Sequence, residues 1–210
     1  MAFQEERVQL LERLHACGEA SQVAAVRRVT RDWQRAHPDV SLETLFALVE
    51  ALWDGGSRVE RLAALHLLAR YPCHITALTW AHFERWRHDL KDRSVADTLA
   101  RHVFAPWLLA NPAHRFGHLW NRLLLGDRWS RRLALVATVG LNRAHPGVGH
   151  PGVTLFLVDQ VWDAREPLVQ EALAWALRVL AEEDSALVRD YVAHHVTLSS
   201  ITLPTVERKR

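Results

Sequence analysis

The chain has 210 residues and a formal net charge of +2 at neutral pH, with 49% hydrophobic and 24% charged residues. This is the composition of a folded protein of one or two domains, and it excludes an intrinsically disordered chain. Because no run of about 18 apolar residues occurs, a membrane-spanning helix is excluded as well. The N-terminus lacks the basic and apolar pattern of a secretory signal, so we expect a cytoplasmic protein.

Arginine dominates the basic residues. Of the 26 basic residues only Lys91 and Lys209 are lysine. Two interpretations stay open, a GC-rich genome and contact with phosphate groups, for which the planar guanidinium is well suited. Cys17 and Cys73 have no neighbouring cysteine, which predicts neither a disulfide framework nor a zinc cluster.

Apolar residues recur at helical spacing along the chain; Leu42, Leu45, Val49 and Leu52, for example, share one face. No segment alternates apolar and polar residues long enough to predict a strand. Gly and Pro breaks recur about every 35–40 residues, the spacing of HEAT-like helical hairpins. We therefore predict an all-α, HEAT-like solenoid of stacked antiparallel helix pairs. The predicted helices lie within 4–17 and 21–36, then in the pairs 42–53 with 57–70, 77–89 with 92–109, 115–125 with 128–143 and 153–163 with 167–182, and finally over 185–195.

The expected organisation is one curved domain over residues 1–210. Residues 1–40 form N-terminal capping helices, residues 41–183 the four helix pairs, and residues 184–210 a terminal helix and tail. In such a stack the second helix of each pair lines a concave surface. That surface fits a long, stiff partner such as a nucleic-acid duplex, and it equally fits a protein.

An ordered series of residues resembles the AlkD-type DNA alkylation repair glycosylases, a family built of HEAT-like repeats. The resemblance covers about two-thirds of the chain, and no single motif in it is as specific as a nucleotide-binding loop. The series consists of Leu52-Trp53-Asp54, Arg61 with Ala63-Ala64-Leu65, Asp97, Trp129 with Arg132, and Gln170 with Ala172, Trp175, Leu177 and Arg178.

The resemblance implies a role for individual residues. Asp97 matches the catalytic carboxylate, and Arg132 matches an arginine that grips the DNA backbone. Trp175 matches one of two tryptophans that contact the deoxyribose of the damaged nucleotide. The implied reaction removes cationic methylated purines, chiefly 3-methyladenine and 7-methylguanine, without flipping the base. The implied partner is double-stranded DNA containing alkylated bases, with a monomeric protein and no cofactor.

The chain departs from the family pattern at one position. Arg93 stands where the second tryptophan is expected, one helical turn before Asp97. Four residues apart on a helix, Arg93 and Asp97 can form an ion pair; alternatively, Arg93 reaches a phosphate and leaves Asp97 free. Trp86 and Trp129 are candidates for the missing aromatic face.

Further arginines complete the predicted DNA-binding set. Arg131 and Arg132 lie early in a helix, where the helix dipole disfavours cations, so a phosphate contact would explain their placement. Arg178 belongs to the same set through the family series. The tryptophans Trp53, Trp80, Trp107, Trp120 and Trp162 are predicted to be packing residues.

Other chemistries find little support in the sequence. No glycine-rich nucleotide loop and no HExxH pattern accompany the thirteen histidines, so neither a nucleotide cofactor nor a metal site is expected. Two other functions stay open: a catalytically inactive relative that binds damaged or unusual DNA, favoured by Arg93, and a helical-repeat scaffold that binds protein. Convergence of Arg93, Arg131, Arg132, Arg143 and Arg178 on the concave face would favour DNA over a protein partner.

Overall fold

Helices make up the regular structure of the protein. The structure is a computed structural model that describes residues 2–16, 22–111, 117, 126–144 and 150–195. Within these ranges no strand occurs, which confirms the predicted all-α class, and no helix is long and apolar enough to cross a membrane. The helices are α1 Ala2–His15, α2 Gln22–Ala36, α3 Leu42–Gly55, α4 Arg58–Leu68, α5 Pro72–Ile75, α6 Trp80–His88, α7 Arg93–Leu99, α8 Ala105–Ala110, α9 Arg128–Ala144, α10 Pro151–Asp159, α11 Pro167–Glu183 and α12 Ser185–His194.

The predicted helix pairs over 42–70, 77–109 and 153–182 are confirmed. The single turn α5 was not predicted; it begins at Pro72, a residue suited to the first position of a helix. The helix predicted over 115–125, with Trp120, lies almost entirely outside the described residues. Cys17, His145 and the basic C-terminal tail also lie outside them.

Short-range capping sets the boundary between α3 and α4. Gly56 ends α3 in the left-handed conformation with φ +81°, which costs glycine little. Ser57 then accepts a hydrogen bond from the Glu60 backbone N–H, while the Glu60 carboxylate accepts one from the Ser57 N–H. This reciprocal pair is a capping box, and it fixes where α4 begins.

Residues 93–110 form one continuous rod in three parts: α7, a π-helical segment over Ala100–Phe104, and α8. Asp92 caps its start by accepting a hydrogen bond from the Val95 N–H at 3.1 Å. The π turn is closed by the Ala105 N–H, which donates to the Ala100 carbonyl. Pro106 follows directly; it has no N–H, and its ring would collide with the carbonyl four residues earlier in a regular α-helix. The widened turn removes that conflict.

The second helices of the pairs form one layer. α4, the rod, α9 and α11 contact one another in that order, while α3 packs on α4 and α10 packs against α9 and α11. This arrangement is that of a HEAT-like stack. α9 approaches the rod closely at Gly140, where an added Cβ would lie 2.6 Å from the Ala105 Cβ.

Most of the predicted packing tryptophans are buried. Trp53 and Trp107 lie in the core, and Trp80 and Trp162 are partly buried against it, so these predictions are confirmed. The Trp53 indole N–H donates to Asp89 Oδ2 at 2.8 Å, which ties α3 to the end of α6. Arg61 from the family series donates to the Asp89 carbonyl at 2.8 Å. Both residues therefore hold neighbouring pairs together.

Candidate functional site

Three neighbouring helices of this layer, α7, α9 and α11, share one open cleft of about 440 Å³. Residues four apart on α7 and three to four apart on α11 lie on the same helix face, so each helix presents a row of side chains to it. This pocket is called the cleft below. Its described lining residues are Arg93, Asp97, Arg132, Glu171, Ala174, Trp175 and Arg178. Five residues of the predicted site thus lie together, although they come from three separate parts of the chain.

The Asp97 carboxylate is held by two parallel hydrogen bonds from one guanidinium. Arg132 Nε donates to Oδ1 at 2.7 Å and Arg132 Nη2 donates to Oδ2 at 2.8 Å. The Asp97 side chain is 20% exposed, so it is neither buried in the interior nor turned to open solvent. A carboxylate has about four lone-pair sites, of which this arrangement uses two. The remaining lone pairs are available to a water molecule or a ligand.

Arg132 is used inside the protein. Its side chain is 3% exposed, and its third nitrogen, Nη1, donates to the Leu168 carbonyl at 2.8 Å at the start of α11. The pairing with Asp97 explains how a guanidinium is tolerated near the N-terminal end of α9. The geometry gives Arg132 the role of positioning Asp97, whereas the phosphate grip implied by the family resemblance stays a prediction.

Arg93 turns away from Asp97 and crosses the cleft. Arg93 Nη1 donates to Glu171 Oε2 at 2.7 Å, which joins α7 to α11. This hydrogen bond raises the pKa of Arg93 above its ordinary value. The Arg93–Asp97 ion pair considered from the sequence is therefore not formed, because each charge has a different partner. Glu171 was not predicted as a site residue, although it stands four residues before Trp175 on the same face.

Trp175 provides the aromatic surface of the cleft. The indole is partly buried against Val139, Ala176 and Val179, and its face carries the Arg101 guanidinium, whose carbon lies 5.1 Å from the ring centroid. Arg178 lies one turn further along α11 in the same cleft. Arg101 was not predicted as a site residue either. Its position one helical turn after Asp97 could have indicated that it lies near the cleft.

Other predicted residues lie elsewhere. Trp129 is partly buried against the core with Arg128 over its ring at 5.9 Å, and Arg131 pairs with Glu166 at 3.2 Å. Neither is among the residues that line the cleft. Trp86 is completely buried, so the idea that it supplies the missing aromatic face is wrong. Arg143 lines a neighbouring pocket together with Arg101.

The charges of the cleft are almost balanced. Three arginines, Arg93, Arg132 and Arg178, face two carboxylates, Asp97 and Glu171. Among the residues that the structure describes, no three His, Cys, Asp or Glu side chains are grouped so that they could hold a metal ion. The cleft therefore offers one oriented carboxylate, one indole and a small excess of positive charge.

Comparison with known proteins identifies a matching family and a similar fold. A family model described as DNA alkylation repair enzyme matches residues 20–205. A solved structure described as "Predicted DNA alkylation repair enzyme from Enterococcus faecalis" is similar with a TM-score of 0.71 and 13% sequence identity, over 89% of this chain and 84% of that chain. No curated protein matches. At this identity the structural similarity supports the fold, and the family match extends to nearly all of the described helices.

Proposed function

Since the chain belongs to the DNA alkylation repair enzyme family, we propose that it is a monofunctional DNA glycosylase acting on cationic alkylated purines. Its substrates are 3-methyladenine and 7-methylguanine in double-stranded DNA, whose N-glycosidic bond it hydrolyses without flipping the base. The observation that carries the proposal is a partly exposed carboxylate, Asp97, held in place beside an indole and an arginine in one open cleft.

The chemistry requires few residues because the substrate is already activated. An N3- or N7-alkylated purine carries a positive charge and leaves as a neutral base, so no general acid has to protonate it. The enzyme stabilises the positive charge that develops on the deoxyribose and delivers a water molecule to it. A preorganised carboxylate performs the first task by electrostatics, and it can orient the water as the basic carboxylate of a glycoside hydrolase does.

Arg132 would control both the orientation and the effective charge of the Asp97 carboxylate. Its two hydrogen bonds hold Asp97 in one orientation, which favours catalysis because the carboxylate need not reorganise. The same bonds neutralise part of the carboxylate's charge. Trp175 would add cation–π stabilisation of the sugar, about 0.5–2 kcal/mol. In the structure one cation, the Arg101 guanidinium, already lies over this ring.

The placement of arginines favours DNA over a protein partner. Arg93, Arg132 and Arg178 converge on the cleft, and Arg143 borders the adjoining pocket, while Arg131 alone of the five points elsewhere. A second candidate function is a DNA-binding relative without catalysis. It is favoured by the two bonds of Arg132 to Asp97 and by the ion pair that Arg93 and Glu171 form where the family has a tryptophan.

The test is release of free base from duplex DNA that carries 7-methylguanine. The parent protein should release the base, and Asp97→Asn, which keeps the shape but removes the charge, should be slower by roughly 10²–10³-fold. Glu166→Gln is the matched control, because it removes a carboxylate that pairs with Arg131 outside the cleft. Its rate should equal that of the parent.

The outcomes separate the candidate functions. Base release by the parent that is lost in Asp97→Asn supports the glycosylase. Tight, salt-sensitive DNA binding without release by either protein identifies the inactive relative. Absence of DNA binding by the parent would overturn both and favour the protein scaffold.

A further inference from the structure

A second pocket of about 220 Å³ lies beside the cleft, between the π segment of the rod and the C-terminal half of α9. Arg101 and Arg143 line it, and no carboxylate is among its described lining residues. We propose that this pocket is an anion subsite that takes a backbone phosphodiester of the DNA strand whose damaged nucleotide lies at Asp97. The inference rests on the proposed function and adds to it a binding site with its own residues.

Arg101 is held with a hydrogen-bond donor unused. Its Nε is buried and has no hydrogen-bond partner among the described residues. A buried donor without a partner is costly, and native structures rarely keep one unless a water or a ligand satisfies it. A phosphate oxygen is the acceptor that a guanidinium pairs with best. The Arg101 guanidinium thus has hydrogen-bonding capacity that its neighbours leave unused.

Positive charges converge on this region. Burial, together with the nearby Arg143 and Arg27, lowers the pKa of Arg101, and Asp97 opposes this only in part. Among the described residues, Arg143 pairs with Glu182 at 3.7 Å, and the two side chains are 45% and 32% exposed. A long, exposed pair of this kind contributes little to stability. An anion bound between the two arginines would relieve their repulsion.

The spacing fits the same strand as the cleft. Arg101 follows Asp97 by four residues, a rise of about 6 Å along a helix. Successive phosphates of one DNA strand rise by about 3.4 Å along the duplex axis. For a strand that runs along the rod, a nucleotide whose sugar lies at Asp97 has a backbone phosphate within about two steps of the pocket. Since Arg101 also lies over Trp175, one side chain links the phosphate subsite to the sugar subsite.

Gly140 shapes the floor of the pocket. An added Cβ there would lie 3.1 Å from the Arg101 carbonyl oxygen, so only glycine lets the α9 backbone approach the π segment this closely. That approach brings Arg143, one turn later on α9, to the same pocket as Arg101. The two guanidinium groups are thus placed by the backbone packing that the π segment creates.

The experiment measures DNA affinity as a function of salt for the parent, Arg101→Gln, Arg143→Gln and the double variant. Each lost phosphate contact should lower the slope of log affinity against log salt by about 0.9. The dissociation constant should rise roughly tenfold for each variant at a fixed salt concentration. Arg85→Gln is the matched control, since Arg85 pairs with Glu50 and Asp54 on the first-helix side of the stack. Its slope should match that of the parent.

Neutral methylphosphonate linkages, placed one at a time in the damaged strand, identify the phosphate. One position within about two nucleotides of the lesion should weaken binding to the parent. The same position should have no effect on the double variant, because the partner is already absent. Arg143 is exposed, so Arg143→Gln keeps the test valid even if Arg101→Gln unfolds.

Each result decides between the two proposals. Unchanged slopes in both single variants, with parent-like base release, would overturn the subsite and leave the proposed function intact. A reduced slope with no base release by the parent would support the subsite in a DNA-binding relative. A parent that binds no DNA would overturn the subsite and the proposed function together.

Discussion

Two ion pairs stand side by side in the cleft, and they differ in burial. In the Arg132–Asp97 pair the side chains are 3% and 20% exposed, whereas in the Arg93–Glu171 pair they are 60% and 46% exposed. Charges removed from water interact strongly and depend on each other, while exposed charges are screened and contribute little. The buried pair therefore fixes the geometry of the carboxylate, and the exposed pair adjusts the charge of the cleft.

The largest expected effect comes from removing the buried guanidinium. Arg132→Ala leaves Asp97 without either hydrogen bond from Arg132 and removes the side-chain hydrogen bond to the Leu168 carbonyl. We expect the free energy of unfolding to fall by about 3 kcal/mol, measured by urea denaturation. Arg131→Ala is the control at the adjacent position, where the pair with Glu166 is more exposed. Equal losses of unfolding free energy in the two variants would contradict the expected difference between the buried and the more exposed pair.

Outside the cleft, α4, which packs against the rod, carries a buried imidazole. His66 is 6% exposed, and its ring lies 6.0 Å from that of His102. Burial, with the nearby Arg27, His102 and Arg70, lowers the pKa of His66 to about 3. In the unfolded chain an imidazole takes up its proton near pH 6.5. Between these two values the unfolded state binds more protons, so acidification destabilises the fold.

A second prediction follows for the pH dependence of stability. At pH 5 the neutral His66 should cost the parent about 2 kcal/mol relative to neutral pH, since each pH unit below 6.5 contributes about 1.4 kcal/mol. His66→Gln should remove this part of the slope between pH 6.5 and pH 5. His88→Gln changes an exposed histidine on α6 and serves as the control. If both variants keep the parent slope in urea titrations, His66 is not the group responsible.

The third prediction concerns the close approach of α9 to the rod. Gly140→Ala places a Cβ 2.6 Å from the Ala105 Cβ and 3.1 Å from the Arg101 carbonyl oxygen, so the helices must separate. The gain in helix propensity offsets part of this, and we expect a net loss of about 1–2 kcal/mol in thermal or urea unfolding. Gly152→Ala on α10 meets nothing within 4 Å. That control should be neutral or slightly stabilising.

The smallest effect on stability is expected for the exposed pair. Glu171→Gln should change the unfolding free energy by less than about 1 kcal/mol. Because it removes one of the two negative charges of the cleft, DNA affinity should rise a few-fold at low salt and the gain should fade at high salt. Glu166→Gln, outside the cleft, should not change affinity beyond what net charge alone produces. A weaker affinity in Glu171→Gln would show that Glu171 orients Arg93 for DNA.

The helices could be predicted from the sequence because their signals are local. Ser57 and Glu60 stand three residues apart and cap α4, and apolar residues at helical spacing mark the faces that pack. The π segment could not be predicted in the same way. Pro106 signals a disturbance of the helix, but whether the chain breaks, kinks or widens there depends on how α9 packs at Gly140.

The sequence predicted which residues meet in the candidate site, but not which of them form ion pairs with one another. The family series identified Asp97, Arg132, Trp175 and Arg178, which lie together in the cleft. Which arginine pairs with which carboxylate depends on contacts across 35 residues for Arg132 with Asp97 and 78 residues for Arg93 with Glu171. Sequence spacing indicates only neighbours on the same helix. It therefore suggested a pair of Arg93 with Asp97 and could not predict the contact of Arg93 with Glu171.

The π segment sets the rotation of α8 about the helix axis relative to α7. Each residue of an α-helix turns the chain by about 100°. Deleting one residue within Ala100–Phe104 would leave Asp97 facing its cleft but rotate everything beyond by that angle. The Trp107 indole N–H donates to the Leu78 carbonyl at 2.9 Å. After such a deletion Trp107 would no longer point into the core. The extra residue thus acts as an angular spacer, so that one continuous helix faces the open cleft at one end and packs in the interior at the other.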